Sequence, residues 1–216
     1  MRARPLVLIA LFLIASALPA RAQSQFDFYV LALSWSPTYC ENAGSRADPR
    51  QCGGRPYAFV VHGLWPQFER GYPEFCLRPA PFVPEPLVQS MLELMPSRQL
   101  VIQQWRKHGT CAGLSPEDYF ALVRRAREKV KIPEGFQRLD DYRMVTPAEV
   151  ETAFIAANAG LERDMVAVDC DRRYLREVRV CMSKELAFRA CPKVDRRACR
   201  APSLVMPPMR GVPSRL

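Results

Sequence analysis

The eight cysteines of this 216-residue chain restrict its fold more than any other feature of the sequence. They are Cys40, Cys52, Cys76, Cys111, Cys170, Cys181, Cys191 and Cys199. An even set of cysteines behind an export signal is typical of a disulfide framework formed in an oxidising compartment. A metal site is the alternative, but the sequence has no Cys-x-x-Cys pair, and its two histidines lack the spacing of metal ligands. We therefore expect four disulfides and no metal.

The amino terminus has the three parts of a cleaved signal peptide. Two arginines precede an uncharged apolar run at residues 6–18, and Ala20 and Ala22 stand where a signal peptidase reads small residues. The run is shorter than the ~20 apolar residues that span a bilayer, and it lacks the polar face that a buried terminal helix would need. We predict that residues 1–22 are removed and that the product is periplasmic or secreted, without a membrane attachment.

Charge and length narrow the class of protein only modestly. The formal net charge is +9, and it falls to +6 without the three arginines of the signal peptide. A basic excess favours polyanionic partners through the release of counterions, although many secreted proteins that bind no nucleic acid are equally basic. The remaining length suits one large domain better than two.

The hydrophobic pattern predicts strands first, helices next and strands again. Strands are predicted at residues 26–34, 57–62, 165–170, 174–182 and 187–191, with Gly63 ending the second. Helices are predicted at residues 86–95, 99–108, 115–130 and 146–158. The remaining segments are predicted as loops at residues 36–52 and 66–86 and a proline- and arginine-rich tail at 201–216. This order favours one α+β domain at residues 23–200, with a mostly antiparallel central sheet and several packed helices.

Both histidines precede a glycine within a dense cluster of unusual residues. The first cluster is His62-Gly63-Leu64-Trp65-Pro66-Gln67, and the second is QQWRKHGTC at residues 103–111. Histidine is the side chain whose ordinary pKa allows proton transfer near neutral pH. A single histidine is more often structural, but two in such settings favour a functional site without naming its reaction.

The second cluster would place chemically useful groups on one face of the predicted helix. That face carries Gln103, Gln104, Lys107 and His108, while the opposite, buried side carries Val101, Ile102 and Trp105. Two amides, an ammonium group and an imidazole can hold a phosphodiester and transfer a proton. An ordinary solvated helix face explains the same pattern equally well.

The two clusters resemble the two active-site segments of the ribonuclease T2 family. The matching segments are His62-Gly63-Leu64-Trp65-Pro66 and Lys107-His108-Gly109-Thr110-Cys111, in the family's order, with Trp105 before the second. Two further segments, Ser34-Trp35-Ser36-Pro37 and Leu175-Arg176-Glu177-Val178, are similar to family patterns. The resemblance covers essentially the whole mature chain and implies a ribonuclease T2-like fold.

The resemblance implies an endoribonuclease that cleaves single-stranded RNA with a broad base preference and without a metal or cofactor. Such enzymes form a 2′,3′-cyclic phosphate and then a 3′-phosphate. His108 would be the general base and His62 the general acid, and Lys107 would stabilise the charge of the transition state. Trp65 would stack a base, and Gln103 would bind phosphate. DNA lacks the 2′-hydroxyl nucleophile and would not be cleaved. We expect a monomer.

The chain departs from the family pattern at Gln104. The family usually has His-Glu-Trp where residues 103–105 are Gln-Gln-Trp. The glutamate of that motif is the family's third catalytic group. Gln104, which takes its position, can donate to a phosphate oxygen, but it has neither a charge nor a transferable proton. Because both histidines remain, we expect an active enzyme that is slower or has a shifted pH profile. A relative that binds RNA or a protein without catalysis is the rival hypothesis. A structural secreted module would leave both histidine clusters unexplained.

The resemblance also implies how the cysteines pair. The expected disulfides are Cys40–Cys52, Cys76–Cys111, Cys170–Cys199 and Cys181–Cys191, of which the last two could be exchanged. Cys76–Cys111 would tie the catalytic helix to the loop after Trp65. Cys111 stands near His108, so a thiol nucleophile is conceivable, but the even set of cysteines and the export signal disfavour it.

Overall fold

The computed structural model describes residues 26–209, so the predicted signal peptide at 1–22 and residues 210–216 lie outside the described part. Within it, six strands form: β1 Phe28–Trp35, β2 Phe59–Gln67, β3 Arg143–Val145, β4 Val166–Cys170, β5 Leu175–Met182 and β6 Leu204–Met206. The helices of the same residues are α1 Ser36–Ala43, α2 Pro49–Cys52, α3 Glu85–Met91, α4 Arg98–Lys107, α5 Pro116–Lys129, α6 Pro147–Ala157 and α7 Pro192–Asp195. None of these helices has the length and apolar character needed to cross a membrane.

Four strands form the central sheet, in the order β2-β1-β5-β4, and all neighbours are antiparallel. Strand β1 shows how the sheet separates two faces, because successive side chains of a strand point to opposite sides. Leu31 and Leu33 pack into the main core, whereas Phe28 and Val30 pack on the other face. The predicted α+β class with a mostly antiparallel central sheet is therefore confirmed.

Helices α3 to α6 cover one face of this sheet. Their apolar side chains, such as Trp105 of α4, Phe120 of α5 and Phe154 of α6, share one core cluster with the inward side chains of β1, β2, β4 and β5. The buried Tyr119 hydroxyl donates a hydrogen bond to the carbonyl oxygen of Leu64 at 2.8 Å. The four predicted helices are confirmed. The fourth has the full capping box, between Thr146 and Glu149. These helices do not cover the opposite face of the sheet, where a cleft can form.

Strand β2 does not end at Gly63, as the sequence predicted, but continues to Gln67. Val61 lies opposite Leu33, while Gly63 lies opposite the next residue, Ala32. His62 is therefore an extra residue, and the pair forms a β-bulge, in which two residues of one strand face one of its partner. Glycine marks this bulge rather than the end of the strand.

One predicted loop and one predicted strand were wrong. Residues 36–52 hold α1 and α2, because their prolines and Asp48, which accepts a hydrogen bond from the Arg50 amide at 2.9 Å, start helices. Residues 187–191 form one bridge, between Phe188 and Met182, and no strand. The amide of Cys191 instead donates to the Asp164 carbonyl at 2.8 Å, so the chain turns away from β5.

The predicted tail also contains structure. Strand β6 pairs with β3, and the side chains of Leu204 and Met206 are completely buried. The Trp35 indole donates a hydrogen bond to the Pro207 carbonyl at 3.0 Å. Strands of three residues are too short to show an alternating pattern, and prolines around β6 imitate a tail. The domain thus extends through at least residue 209, not 200.

All eight cysteines form disulfides. The structure joins Cys40 to Cys52, Cys76 to Cys111, Cys170 to Cys199 and Cys181 to Cys191. This is the pairing implied by the resemblance, including the two pairs that the sequence left open to exchange. No free thiol remains at Cys111 to act as a nucleophile.

Candidate active site

Both histidine clusters line one cleft of about 490 Å³, between the uncovered face of the sheet and the C-terminal end of α4. The six side chains predicted from the sequence all contribute to its walls: His62, Trp65, Gln103, Gln104, Lys107 and His108. Arg179 of β5 and Tyr72, from the loop after β2, complete the central part. Residues 46 positions apart in the chain are thus brought to one concave surface.

The bulge in β2 is what places His62 and Trp65 on the same wall. Residues three apart on a regular strand point to opposite faces. The extra residue interrupts the alternation of side chains between the two faces of the sheet. Val61 and Leu64 therefore both face the core, while His62 and Trp65 both face the cleft. The ring centroids of His62 and Trp65 are 5.3 Å apart.

His62 is held by a buried carboxylate that sequence reasoning missed. Its Nδ1 atom is paired with Oε1 of Glu177, whose side chain is only 4% exposed. The other carboxylate oxygen accepts hydrogen bonds from Nε and Nη2 of Arg179 at 3.0 and 2.9 Å. The sequence signal was present in β5, where Glu177 and Arg179 alternate with the buried residues Val178 and Val180, but it did not name a partner.

The pKa of Glu177 is lowered to about 2. Burial acts in the opposite direction, by penalising the charge, but the hydrogen bond and charge of His62 and the guanidinium of Arg179 outweigh it. Glu177 is therefore ionised at any pH at which the protein would function. A fixed carboxylate at Nδ1 sets the tautomer of the imidazole and leaves Nε2 as the nitrogen available to a ligand.

His108 stands in a contrasting environment at the C-terminal end of α4. The residue is 6% exposed, and among the described residues its Nδ1 atom has no hydrogen-bond partner. Burial lowers the pKa of His108 to about 3, and the nearby charges of Lys107 and His62 act in the same direction. The imidazole of His108 is therefore neutral near pH 7 and can accept a proton.

Trp65 contacts both imidazoles and is fixed by Gln104. Its ring centroid is 5.3 Å from that of His108. Its indole nitrogen donates to Oε1 of Gln104 at 2.7 Å. Because an indole N–H can only donate, the Gln104 oxygen must face it, and the NH₂ group of the amide points elsewhere as a donor. Gln104 thus keeps the acceptor that a glutamate would offer to Trp65, but lacks its charge.

An ion pair, a backbone hydrogen bond and a nearby disulfide hold the loop after β2 against Lys107. The Lys107 ammonium lies 3.4 Å from a carboxylate oxygen of Glu74. The amide of Phe75 donates to the Lys107 carbonyl at 2.8 Å, and the next residue forms the Cys76–Cys111 disulfide. This loop holds Tyr72 at the cleft with 48% of its surface exposed. Sequence reasoning also missed Tyr72, because an irregular loop has no period from which a direction can be read.

The described residues contain no group of three or more His, Cys, Asp or Glu side chains arranged to hold a metal ion. What the cleft does offer is a neutral imidazole, a second imidazole paired with a carboxylate, an ammonium group and amide donors. Such a set can move protons and neutralise negative charge.

Comparisons with known proteins identify the family of this chain. The Ribonuclease T2 family profile matches residues 26–191. A ribonuclease of Aeromonas hydrophila is 38% identical over 175 residues, which cover 79% of each chain. Ribonuclease I of Escherichia coli is 27% identical over 215 residues, which cover 79% of this chain and 80% of that one.

Solved structures share the fold. The crystal structure of RNase NT in complex with 5′-AMP aligns with a TM-score of 0.67 and 24% identity, over 85% of this chain and 99% of that one. Trichomaglin, described as an S-like ribonuclease, aligns with a TM-score of 0.70 and 23% identity, over 86% and 100% of the two chains. By sequence and by fold, the chain belongs to the ribonuclease T2 family.

Proposed function

We propose that this endoribonuclease cleaves single-stranded RNA by attack of a ribose 2′-hydroxyl on the adjacent phosphorus. The products would be a 2′,3′-cyclic phosphate and a free 5′-hydroxyl, and hydrolysis of the cyclic ester would give a 3′-phosphate. One observation carries the proposal: two imidazoles in opposite electrostatic environments line the same cleft. Pairs of titratable groups with contrasting environments are the mark of acid–base assignments.

His108 acts as the general base in this proposal. Its lowered pKa, of about 3, keeps the imidazole neutral and able to take the proton of the 2′-hydroxyl. The position is sheltered, since only 6% of the residue is exposed, which limits competition from solvent. Proton transfer by a positioned side chain contributes ~10²–10⁴-fold to a rate.

His62 acts as the general acid that protonates the departing 5′-oxygen. The contact of the Glu177 carboxylate with Nδ1 orients the ring and directs Nε2 toward the substrate. Glu177 is therefore a positioning residue, comparable to the buried aspartate that orients the histidine of a serine protease. Arg179 holds Glu177 in place from the opposite side.

The remaining cleft residues bind the substrate. Lys107 and the amides of Gln103 and Gln104 supply a cation and donors for the phosphate oxygens as negative charge develops. Trp65 and Tyr72 offer aromatic faces for bases, a contact that tolerates any base and fits a broad preference. The neighbouring structures of RNase NT with 5′-AMP and an RNase MC1 variant with 5′-UMP support nucleotide binding by this fold.

The proposal also extends to the cofactor requirement, the compartment and the oligomeric state of the enzyme. No step requires a metal ion or a cofactor, and DNA would be resistant because it lacks the nucleophile. Four disulfides support export to an oxidising compartment, a periplasm or the exterior. We further propose that the enzyme acts as a monomer.

Alanine substitution of each histidine tests the proposal. Purified protein is incubated with single-stranded RNA and a chelator, and the ends of the products are identified by mass spectrometry. We expect 2′,3′-cyclic phosphate ends from the parent protein, and rates about 10²–10⁴-fold lower for His62→Ala and for His108→Ala. Arg125→Ala, an exposed change on α5, is the control and should cleave at the parent rate. Full activity in both histidine variants would overturn the assignment.

A second candidate function, RNA binding without useful catalysis, is favoured by Gln104 alone. The amide occupies the position of a family carboxylate and has no proton to transfer. In the same assay a protein that only binds RNA would leave the RNA uncut, so no products with 2′,3′-cyclic phosphate ends would form. If the parent protein only binds RNA, Gln104→Glu should create cleavage where there was none. If the parent is already an active enzyme, Gln104→Glu should raise its measurable kcat severalfold.

A further inference from the structure

One wall of the cleft is a short segment fixed to the sheet at both ends. Residues 192–198, here called the basic wall, run between Cys191 and Cys199. Cys191 is bonded to Cys181 of β5, and Cys199 is bonded to Cys170 of β4. Two disulfides therefore hold this segment against neighbouring strands, and its position relative to the catalytic face is fixed.

Hydrogen bonds reinforce both attachments. The amide of Cys191 donates to the Asp164 carbonyl at 2.8 Å, and the amide of Cys199 donates to the Val168 carbonyl at 2.7 Å. Between these points Lys193, Val194 and Arg197 line the same cleft as the two histidines.

The two cations of the basic wall differ from the other cations at the cleft. Lys107 is paired with Glu74, and Arg179 with Glu177 and Asp169. Lys193 and Arg197 are exposed and form no ion pair with any residue between 26 and 209. They can therefore bind an anion without first giving up a carboxylate. Asp195, which also belongs to the segment, does not line the cleft.

The segment lies outside the part of the chain that the family profile matches, which ends at residue 191. The catalytic cleft is thus bordered by a wall that is not part of that shared span. An RNA strand with one phosphate between the histidines must carry its neighbouring phosphates out across the walls of the cleft. The chemistry of Lys193 and Arg197 suits those phosphates.

We propose that Lys193 and Arg197 form a subsite for RNA backbone phosphates that flank the scissile one, and that the enzyme thereby prefers oligonucleotides to dinucleotides. The subsite rests on the proposed function, because the flanking phosphates are defined by the cleavage site. Val194 contributes an apolar surface beside Phe28 and Val30, on which a sugar or base can lie.

The test is the double variant Lys193→Gln/Arg197→Gln, assayed on two substrates. A dinucleoside monophosphate has only the scissile phosphate, whereas a short oligoribonucleotide has flanking ones. For the oligonucleotide we expect KM to rise about five- to tenfold at low salt, with kcat unchanged. The slope of log kcat/KM against log salt should become shallower by about 1.4 for the loss of two contacts to a single strand. Cleavage of the dinucleotide should not change.

A matched control removes two positive charges elsewhere. Arg125→Gln/Lys129→Gln on α5 changes exposed residues that do not line the cleft, and it should leave both substrates unaffected. Equal losses in the control, or no loss for the oligonucleotide in the wall variant, would overturn the subsite.

A binding measurement separates the subsite from the catalytic proposal. A fluorescent single-stranded DNA oligonucleotide, which cannot be cleaved, is titrated by anisotropy against parent and variant. Weaker binding by the wall variant alone supports the subsite even if the parent forms no cyclic ends, a result that would refute only the proposed reaction. Equal binding by parent and variant refutes the subsite even if cleavage is as proposed.

Discussion

Two imidazoles with opposite electrostatic surroundings are the smallest unit on which the proposed chemistry depends. His62 is paired with the buried carboxylate of Glu177, whereas His108 is buried and its Nδ1 atom has no hydrogen-bond partner among residues 26–209. The difference comes from neighbouring side chains, since both residues are histidine. Changing a neighbour should therefore alter catalysis while both histidines remain.

Replacement of Glu177 by glutamine should separate positioning from binding. The amide can still form a hydrogen bond, but it lacks the negative charge that pairs with both the His62 ring and Arg179, so the imidazole is held less firmly. We expect kcat for RNA cleavage to fall at least about tenfold, with little change in KM.

Ser34→Ala serves as the control for this experiment. It removes only the 3.4 Å contact between the Ser34 hydroxyl and Glu177, and should resemble the parent. An unchanged kcat in Glu177→Gln, or an equal loss in Ser34→Ala, would contradict a positioning role for the carboxylate.

Stability should depend on pH through His108. The pKa of His108 is about 3 in the folded protein and about 6.5 when the chain is unfolded, so between these values the unfolded state binds the extra proton. This contribution is fully present above pH 6.5 and is lost as the pH falls toward 3, with a slope of up to about 1.4 kcal/mol per pH unit.

Urea unfolding measured at several values from pH 7 down to about 5, above the range in which most carboxylates titrate, tests the slope. His108→Asn should lose free energy of unfolding less steeply than the parent protein does. Parallel slopes for the two proteins would contradict a neutral, buried His108.

The sequence supplied the polar residues of the site but not their partners. His62, Trp65, Lys107 and His108 stand in short segments whose order and spacing were sufficient to identify them. Glu177 escaped because its contact with His62 joins two strands that lie 115 positions apart and are not adjacent in the sheet. Pairing across a sheet depends on topology, which no local pattern encodes.

At the scale of elements, the bulge of β2 and the end of α4 together set the geometry of the cleft. His62 and Gly63 share Ala32 as their opposite residue, so two successive residues project toward the cleft side. The second must be small, because a Cβ atom on Gly63 would collide with the Gln104 side chain and the Trp65 ring. Glycine here protects the bond between Trp65 and Gln104.

Gly63→Ala should therefore damage both stability and activity. We expect the free energy of unfolding to fall by about 1–3 kcal/mol, because the new methyl group forces Gln104 or Trp65 out of place. The rate of RNA cleavage should fall as well, since both side chains line the cleft and Trp65 contacts both histidines.

Gly54→Ala is the matched control for Gly63→Ala. A Cβ atom at Gly54 meets no other atom within 4 Å, and this variant should unfold and react like the parent. Equal stability of the two alanine variants in urea would refute the steric argument at Gly63.

At the scale of the whole molecule, chain segments distant in sequence complete one core. Long helices and strands were predictable because their apolar residues repeat with a regular period, whereas β3 and β6 contain only three residues each. Their strand conformation depends on tertiary contact, since Met206 is buried and the Trp35 indole binds the Pro207 carbonyl. The predicted tail thus belongs to the folded domain as far as residue 209.

Leu204→Ala tests whether this segment stabilises the protein. The side chain is completely buried, and its truncation should lower the free energy of unfolding by about 2–5 kcal/mol. Ser203→Ala, an exposed neighbour, should change it by less than about 0.5 kcal/mol. Chemical denaturation of the oxidised proteins measures both values, and similar stabilities for the two variants would mean that the segment adds nothing to the core.

The extra residue in β2 also fixes how this site can be transplanted. On a flat, regular strand, an imidazole and an indole three positions apart would project to opposite sides. A graft onto such a scaffold must therefore place the histidine and the tryptophan two or four positions apart. The same reasoning applies to deletion of one residue between Val61 and Leu64. Removal of Gly63 would restore even pleating and leave His62 and Trp65 two positions apart on the same face, without the bulge that now separates them.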